Sequence, residues 1–292
     1  MPDTWELASA FARSLLYLGA LGSVGLVLAR IVFGRETGGL HGAMVRRVTA
    51  LAALALLAAG IGFALKGAAM TGEPSGMIDP EMLGLLWRTP VGTGLAIRVA
   101  GLGLVLLGLR LPGIGLPIAA AGGLVTLWSF TGVGHVADAG ALWLEMLLLL
   151  HLAGAAFWIG ILSPLRTLAG DPEGLSFAAG LSHRFGRIAV FTVPVLIAAG
   201  IVMAWRLLGE VSDLVATGYG LTLLAKIAAI GLLLGAAAAN KLRFVPAMRR
   251  GDRSAAFALR GSIAVEWAAV CFVLLATAVL TTVPDLPPGG DP

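Results

Sequence analysis

The sequence predicts an all-α, polytopic membrane protein with eight transmembrane helices, and three observations carry that reading. Its 292 residues are 58% hydrophobic and 12% charged, with a mean hydropathy of +0.94, where a soluble domain would be about a quarter charged. Stretches apolar enough to cross a bilayer core, which takes ~20 helical residues, recur eight times. The loops between them alternate in charge, as they do in a protein with a fixed orientation in a membrane. The lipid bilayer is therefore the first partner implied. The pI near 9.8 does not point to nucleic acid, because the basic residues are dispersed through short loops. The single cysteine, Cys271, excludes an internal disulfide and a multi-cysteine metal centre.

The first span covers 6–33 and holds Arg13. The second, 45–66, ends on Lys66, and the third, 91–109, is the shortest and carries Arg98. The fourth, 113–133, runs into Gly134-His135. The fifth, 141–165, carries Glu145, Met146, His151 and Trp158. The sixth, 187–208, holds Met203. The seventh, 218–240, holds Tyr219, Lys226 and Asn240, and the eighth, 257–282, holds Glu266. Glycine and proline punctuate the joins at Gly38-Gly39, Glu73-Pro74, Pro112-Gly113 and Asp171-Pro172. No basic segment with a small-residue cleavage site precedes the first span, so a cleaved signal peptide is not expected.

Loop charge sets the orientation. Arg35, Arg46, Arg47, Arg110, Arg166, Arg184, Arg187, Lys241, Arg243, Arg249, Arg250 and Arg253 fall on one side. Lys66, Arg88 and Arg206 are the basic residues near the other, which collects Asp3, Glu73, Asp79, Glu81, Asp138, Glu210, Asp213, Asp285 and Asp291. Both termini are expected outside, with the arginine-rich loops in the cytoplasm. No loop is long enough for a soluble domain, so function is expected within the membrane or at its face.

The two halves resemble each other. Leu57-Ala58-Ala59-Gly60-Ile61 matches Ile197-Ala198-Ala199-Gly200-Ile201, which sets Arg47 on Arg187 and Lys66 on Arg206. Thr89, Gly92, Arg98 and Gly103 fall on Thr217, Gly220, Lys226 and Gly231, and Trp5 and Arg13 have the separation of Trp143 and His151. Spans four and eight match poorly. The expected organisation is two parallel four-helix repeats, residues 1–135 and 136–292, related about the membrane normal.

Ionisable groups in hydrocarbon are costly and tend to face a protein interior with a function. Arg13, Arg98, Glu145, His151, Lys226 and Glu266 are such groups; buried pairing that merely holds helices together is the plainer account of several. At 100° per residue, Tyr219, Thr222, Lys226 and Asn240 share one stripe, as do Ser262, Glu266, Val273 and Thr277, so Lys226 facing Glu266 is one pairing these stripes allow. His151 shares a face with Leu144, Leu148, Ala155 and Trp158 and lies roughly 15 Å from the outer end, near the midplane. Gly154, Ala155 and Ala156 follow it and would admit a neighbouring helix or a flat ligand. Glu145 lies about 120° away on another face. His135 sits at the outer mouth, while His41 and His183 read as solvated loop residues. Imidazole with thioether, as from His135, His151, Met146 and Met203, suits Cu(I), although methionine is also an ordinary apolar filler.

No HExxH, CxxC or GxxxxGK[ST] is present, and no serine has a visible base partner. A hydrolase, a protease and a nucleotide-driven pump are without support. The second half, however, carries an ordered series: Gly134-His135, His151-Leu152-Ala153-Gly154-Ala155-Ala156-Phe157-Trp158-Ile159-Gly160, Arg184-Phe185-Gly186-Arg187, Tyr219-Gly220, Lys226, Asn240-Lys241, Glu266 and Leu280-Thr281-Thr282-Val283-Pro284. In these residues, and over essentially its whole length, the chain resembles the CopD family of bacterial copper resistance proteins. The resemblance implies an eight-helix protein of the bacterial inner membrane that handles copper, often with a periplasmic CopC-like copper-binding partner. No such domain is fused here, so that partner would be a separate protein. The expectation is a transporter rather than an enzyme. His135 and His151, with Met146 or Met203, would hold the copper ion as Cu(I). Glu145, Lys226, Glu266 and Arg98 would form a gate or charge network, with Trp158, Tyr219 and Asn240 packed beside the site.

A shorter resemblance supplies the alternative. A histidine followed by small residues and Trp-x-Gly, with a lysine two spans later, is similar to the HemJ-type protoporphyrinogen oxidases, which bind haem b. His151 and Lys226 hold the corresponding positions, which implies a haem-b membrane oxidoreductase or electron carrier with His151 as axial ligand.

Overall fold

The computed structural model describes residues 4–132, 141–207, 212–252 and 254–282. Regular structure among them is helical throughout. Helix α1 is Thr4–Val32 and α2 is His41–Thr71. A short helix, α3 (Pro80–Trp87), precedes α4 (Pro90–Gly108) and α5 (Gly115–Trp128). In the second half come α6 (Leu142–Leu168), α7 (Leu175–Leu207) and α8 (Gly218–Ala239). A π-helical turn, Asn240–Phe244, joins α8 to α9 (Val245–Arg249), and α10 (Ser254–Thr282) follows.

Seven of these helical runs are long and apolar enough to cross a membrane, so the chain is a multi-pass membrane protein. The fourth expected span is a shorter apolar helix of 14 residues. It rises only about 21 Å before a turn through Ser129, Phe130 and Thr131. The sixth begins at Leu175 rather than at 187, so Arg184 and Arg187 are helical residues, not loop residues. The seventh does not stop at Asn240 but continues to Arg249.

Helix α1 is the centre of the bundle. Every residue from Gly19 to Val27 is buried, and the helix packs on α2, α5, α6 and α10. Small residues permit that crowding, as they do in membrane bundles that lack a hydrophobic driving force between helices. A Cβ on Gly25 would overlap the Ala156 carbonyl, and one on Gly160 would overlap the Gly25 backbone. The small residues after His151 thus admit a helix, α1. Helices α4 and α5 meet in the same way at Gly101 and Gly122.

Helices α7 and α8 lie at the periphery. Only 6% of the most apolar stretch of each is buried, against 61% of α1, which leaves large faces for lipid. α7 packs on α6, and α8 packs on α10. The two do not pack along their lengths; α7 instead meets α9 at the arginine-rich end.

Local structure is alike in matched parts of the two halves. Thr89 caps α4 by accepting the Val91 N–H, and Thr217 caps α8 by accepting the Gly220 N–H. Gly92 and Gly220 each lie against the short helical segment before the cap, at Trp87 and at Asp213-Leu214. Before α10, Asp252 accepts the backbone N–H and the hydroxyl of Ser254 at 2.9 and 2.7 Å. These bonds hold its carboxyl below the usual carboxylate range.

Candidate functional site

Glu266, midway along α10, is 3% exposed. A carboxylate so placed is costly unless hydrogen-bonded, and two donors reach it. Trp158 Nε1 of α6 donates to Oε2 at 3.2 Å, and Asn240 Nδ2 donates to Oε1 at 2.6 Å. The expected Lys226–Glu266 pair is not formed. Asn240 lies 14 positions beyond Lys226, which is about 21 Å along a helix, and Glu266 stands at the level of Asn240. Lys226 makes no hydrogen bond or ion pair among the described residues, whereas Arg184 pairs with Glu36 at 3.2 Å.

The π turn begins at Asn240. A π turn inserts one residue into the helical phase, and such turns are frequent at functional sites. Asn240 points to Glu266 and the next residue, Lys241, reaches α7, where Nζ donates to the Gly186 carbonyl at 3.2 Å. The Asn240 Oδ1 atom is buried without a hydrogen-bond partner among the described residues.

Aromatic rings close the site. Phe185 sits edge-on to Trp158 at 5.6 Å and tilted against Phe157 at 5.5 Å, and Phe33, just after α1, stacks on Phe157 at 5.8 Å. The Arg184 guanidinium lies over Phe33 at 5.5 Å from the ring centre while bridging to Glu36. Segments far apart in sequence, Phe157-Trp158, Arg184-Phe185-Gly186, Asn240-Lys241 and Glu266, thus converge at one place. Trp158 and Asn240, expected as packing, are direct partners of the carboxylate. Phe33 and Glu36, from the first half, had no periodic signal to single them out.

His151 lies two turns from Trp158 on the same face of α6, roughly 10 Å away by helix rise. Its Nδ1 is 3.1 Å from the Leu196 carbonyl of α7. A carbonyl only accepts, so Nδ1 carries the proton, and in the neutral form of the ring the lone pair is on Nε2, as in a metal ligand. Gly200 lies beside the ring, where a Cβ would stand 3.4 Å from Cε1. Leu196, Gly200 and Met203 fall on one stripe of α7, which puts Met203 one turn beyond the imidazole. Tyr219, two turns before Lys226 on α8, is half-buried.

The remaining expected residues are placed differently. Met146 is 40% exposed and lies about 140° around α6 from His151. Glu145 is half-buried, on a face of α6 apart from the imidazole. Arg98 belongs to a separate cluster in the first half. It donates to the Ser129 hydroxyl and carbonyl at 3.1 and 3.3 Å and stacks over Phe130 at 4.5 Å. Arg13 donates to the Thr281 carbonyl nearby. His135 lies outside the described residues. Among those described, no three or more His, Cys, Asp or Glu side chains are grouped to hold a metal.

Helical bundle, buried carboxylate and midplane imidazole together define a class: a multi-pass membrane protein with a polar site inside its second half. Two family models narrow it. Copper resistance protein D-like, N-terminal domain, matches residues 1–144, and Copper resistance protein D matches 179–280. The chain is also 29% identical over 312 aligned positions to the Copper resistance protein D of Pseudomonas syringae pv. tomato, covering 99% of this chain and 100% of that protein. No solved structure matches. The chain belongs to the copper resistance protein D family.

Proposed function

We propose that this protein serves copper resistance by carrying copper ions across the bacterial inner membrane through the second half of its bundle. Family membership supports the role in copper resistance. The observation that carries the finer reading is the 3.1 Å contact of His151 Nδ1 with the Leu196 carbonyl: a neutral ring that donates there keeps its lone pair on Nε2, near the midplane, for a metal. Met203 on the same stripe of α7 offers a thioether, and imidazole with thioether is a soft set suited to Cu(I). Deeper in, Glu266 and the unpartnered Asn240 Oδ1 offer oxygen and negative charge. In this reading His135 receives the ion outside, His151 holds it midway, and Glu266 is met next on the way to the arginine-rich, cytoplasmic face. Both termini are then periplasmic, and a separate CopC-like protein would deliver the ion. The matched caps at Thr89 and Thr217 support two parallel repeats, 1–135 and 136–292.

Competition of purified protein with a Cu(I) chelator tests the ligand. His151→Ala is expected to lower affinity by at least tenfold and Met146→Ala to leave it unchanged. Equal affinity in wild type and His151→Ala removes the imidazole from the site.

A second reading, haem b on His151, draws on the same Nε2 lone pair. An absorption spectrum after expression with ample haem separates the two. A Soret band lost in His151→Ala supports haem, and its absence in wild type counts against it.

A further inference from the structure

A cavity of about 470 Å³ opens at the arginine-rich end between α2, α6 and α10. Its wall carries three guanidinium groups, Arg47, Arg166 and Arg260, with the hydroxyls of Ser163 and Thr167, and Trp267 lines it on α10. Arg47 is held by neutral acceptors: it donates to Ser163 Oγ at 2.8 Å and to Thr167 Oγ1 at 3.0 Å, with a longer contact to the Ser163 carbonyl at 3.5 Å. Its charge is therefore not neutralised, and at least two of its five N–H donors remain. Arg260 lies against Gly170, whose missing side chain makes room for the guanidinium. The one carboxylate on the wall, Asp171, already accepts the Glu173 N–H at 3.0 Å and leaves the cavity with an excess of positive charge.

Three arginines drawn around one polar recess repel each other unless an anion joins them. Guanidinium forks match the oxygens of a phosphate in pairs, and basic recesses between transmembrane helices are suited to anionic headgroups. The depth agrees. Arg47 and Arg260 each lie six positions inside their helices, roughly 9 Å from the ends, and Trp267 lies roughly 10 Å deeper. A tryptophan at that level suits the boundary between headgroup and acyl chain. The volume is within the few hundred Å³ of sites that hold small molecules.

We propose that this recess binds a phosphate-bearing anion, so that Arg47, Arg166 and Arg260 clamp one phosphate between the first-half helix α2 and the second-half helices α6 and α10. Its occupant would tie the halves together one residue from Glu266, since Trp267 is the next position in the chain. The site is independent of the copper reading and stands or falls apart from it.

The test uses the full chain, purified and reconstituted in nanodiscs of phosphatidylcholine with or without phosphatidylglycerol, or with phosphatidylcholine and millimolar inorganic phosphate. Thermal stability and lipid retained by native mass spectrometry are read together. Wild type is expected to retain phosphatidylglycerol and to melt several degrees higher with it. Arg260→Gln and Arg166→Gln should each weaken retention by about tenfold, and Arg260→Lys should restore part of it. A shift given by inorganic phosphate alone, lost in the same variants, supports the site with a soluble occupant. Equal retention and equal shifts in wild type and both glutamine variants overturn it. Because Arg166 and Arg260 are exposed, their replacement tests the site without emptying the core, as Arg47→Gln would.

Discussion

Glu266 is held by two donors, Trp158 Nε1 and Asn240 Nδ2. Trp158→Phe keeps the ring and removes the Nε1 donor, and it is expected to cost about 1–3 kcal/mol of stability, read as a lowered Tm in detergent. Glu266→Gln offers one acceptor oxygen to two donors, so the same measurement should show a loss of similar size; an unchanged Tm in both would mean that the carboxylate is not structurally engaged. At this scale the sequence was partly informative. The costliness of an acid in hydrocarbon marked Glu266, and helical phase marked Asn240. Partner choice was not legible, because stripe matching gives direction around a helix and says nothing of depth on the facing one. Lys226 and Asn240 point alike, and only the antiparallel register of α8 and α10 selects Asn240. Met146 and Met203 were equivalent by composition; exposure separates them.

Helices were the most legible level, since hydropathy reports what a bilayer requires. The expected spans were too short where arginines were read as loop residues, as at Arg184 and Arg187. Long basic side chains on a helix can reach the interface, so their presence does not end one. The π turn at Asn240–Phe244 had no sequence signature, because it depends on tertiary hydrogen bonds from Asn240 and Lys241. The α1–α6 crossing was foreshadowed by Gly154, Ala155 and Ala156, yet the contact falls on Ala156 and Gly160 against Gly25. Gly25→Leu is expected to separate these helices and cost at least ~2 kcal/mol; Gly38→Leu, in open space, is the control. Comparable melting of the two variants would contradict a central role for this crossing.

For the whole molecule, loop charge predicts that the arginine-rich end is cytoplasmic. In a Cys271→Ser background, a cysteine at Ser75 should react with an impermeant thiol reagent on intact spheroplasts, and one at Asp171 only after permeabilisation. The reverse pattern would invert the molecule. Four segments of the second-half series, Phe157-Trp158, Arg184-Phe185-Gly186, Asn240-Lys241 and Glu266, meet at one place, with Phe33 and Glu36 of the first half beside them. The most direct test of the central claim is copper accumulation in cells expressing wild type or His151→Ala at equal membrane levels. Accumulation that follows wild type and falls to the empty-vector level in His151→Ala is the predicted result; equal accumulation in the two would contradict passage of copper through His151.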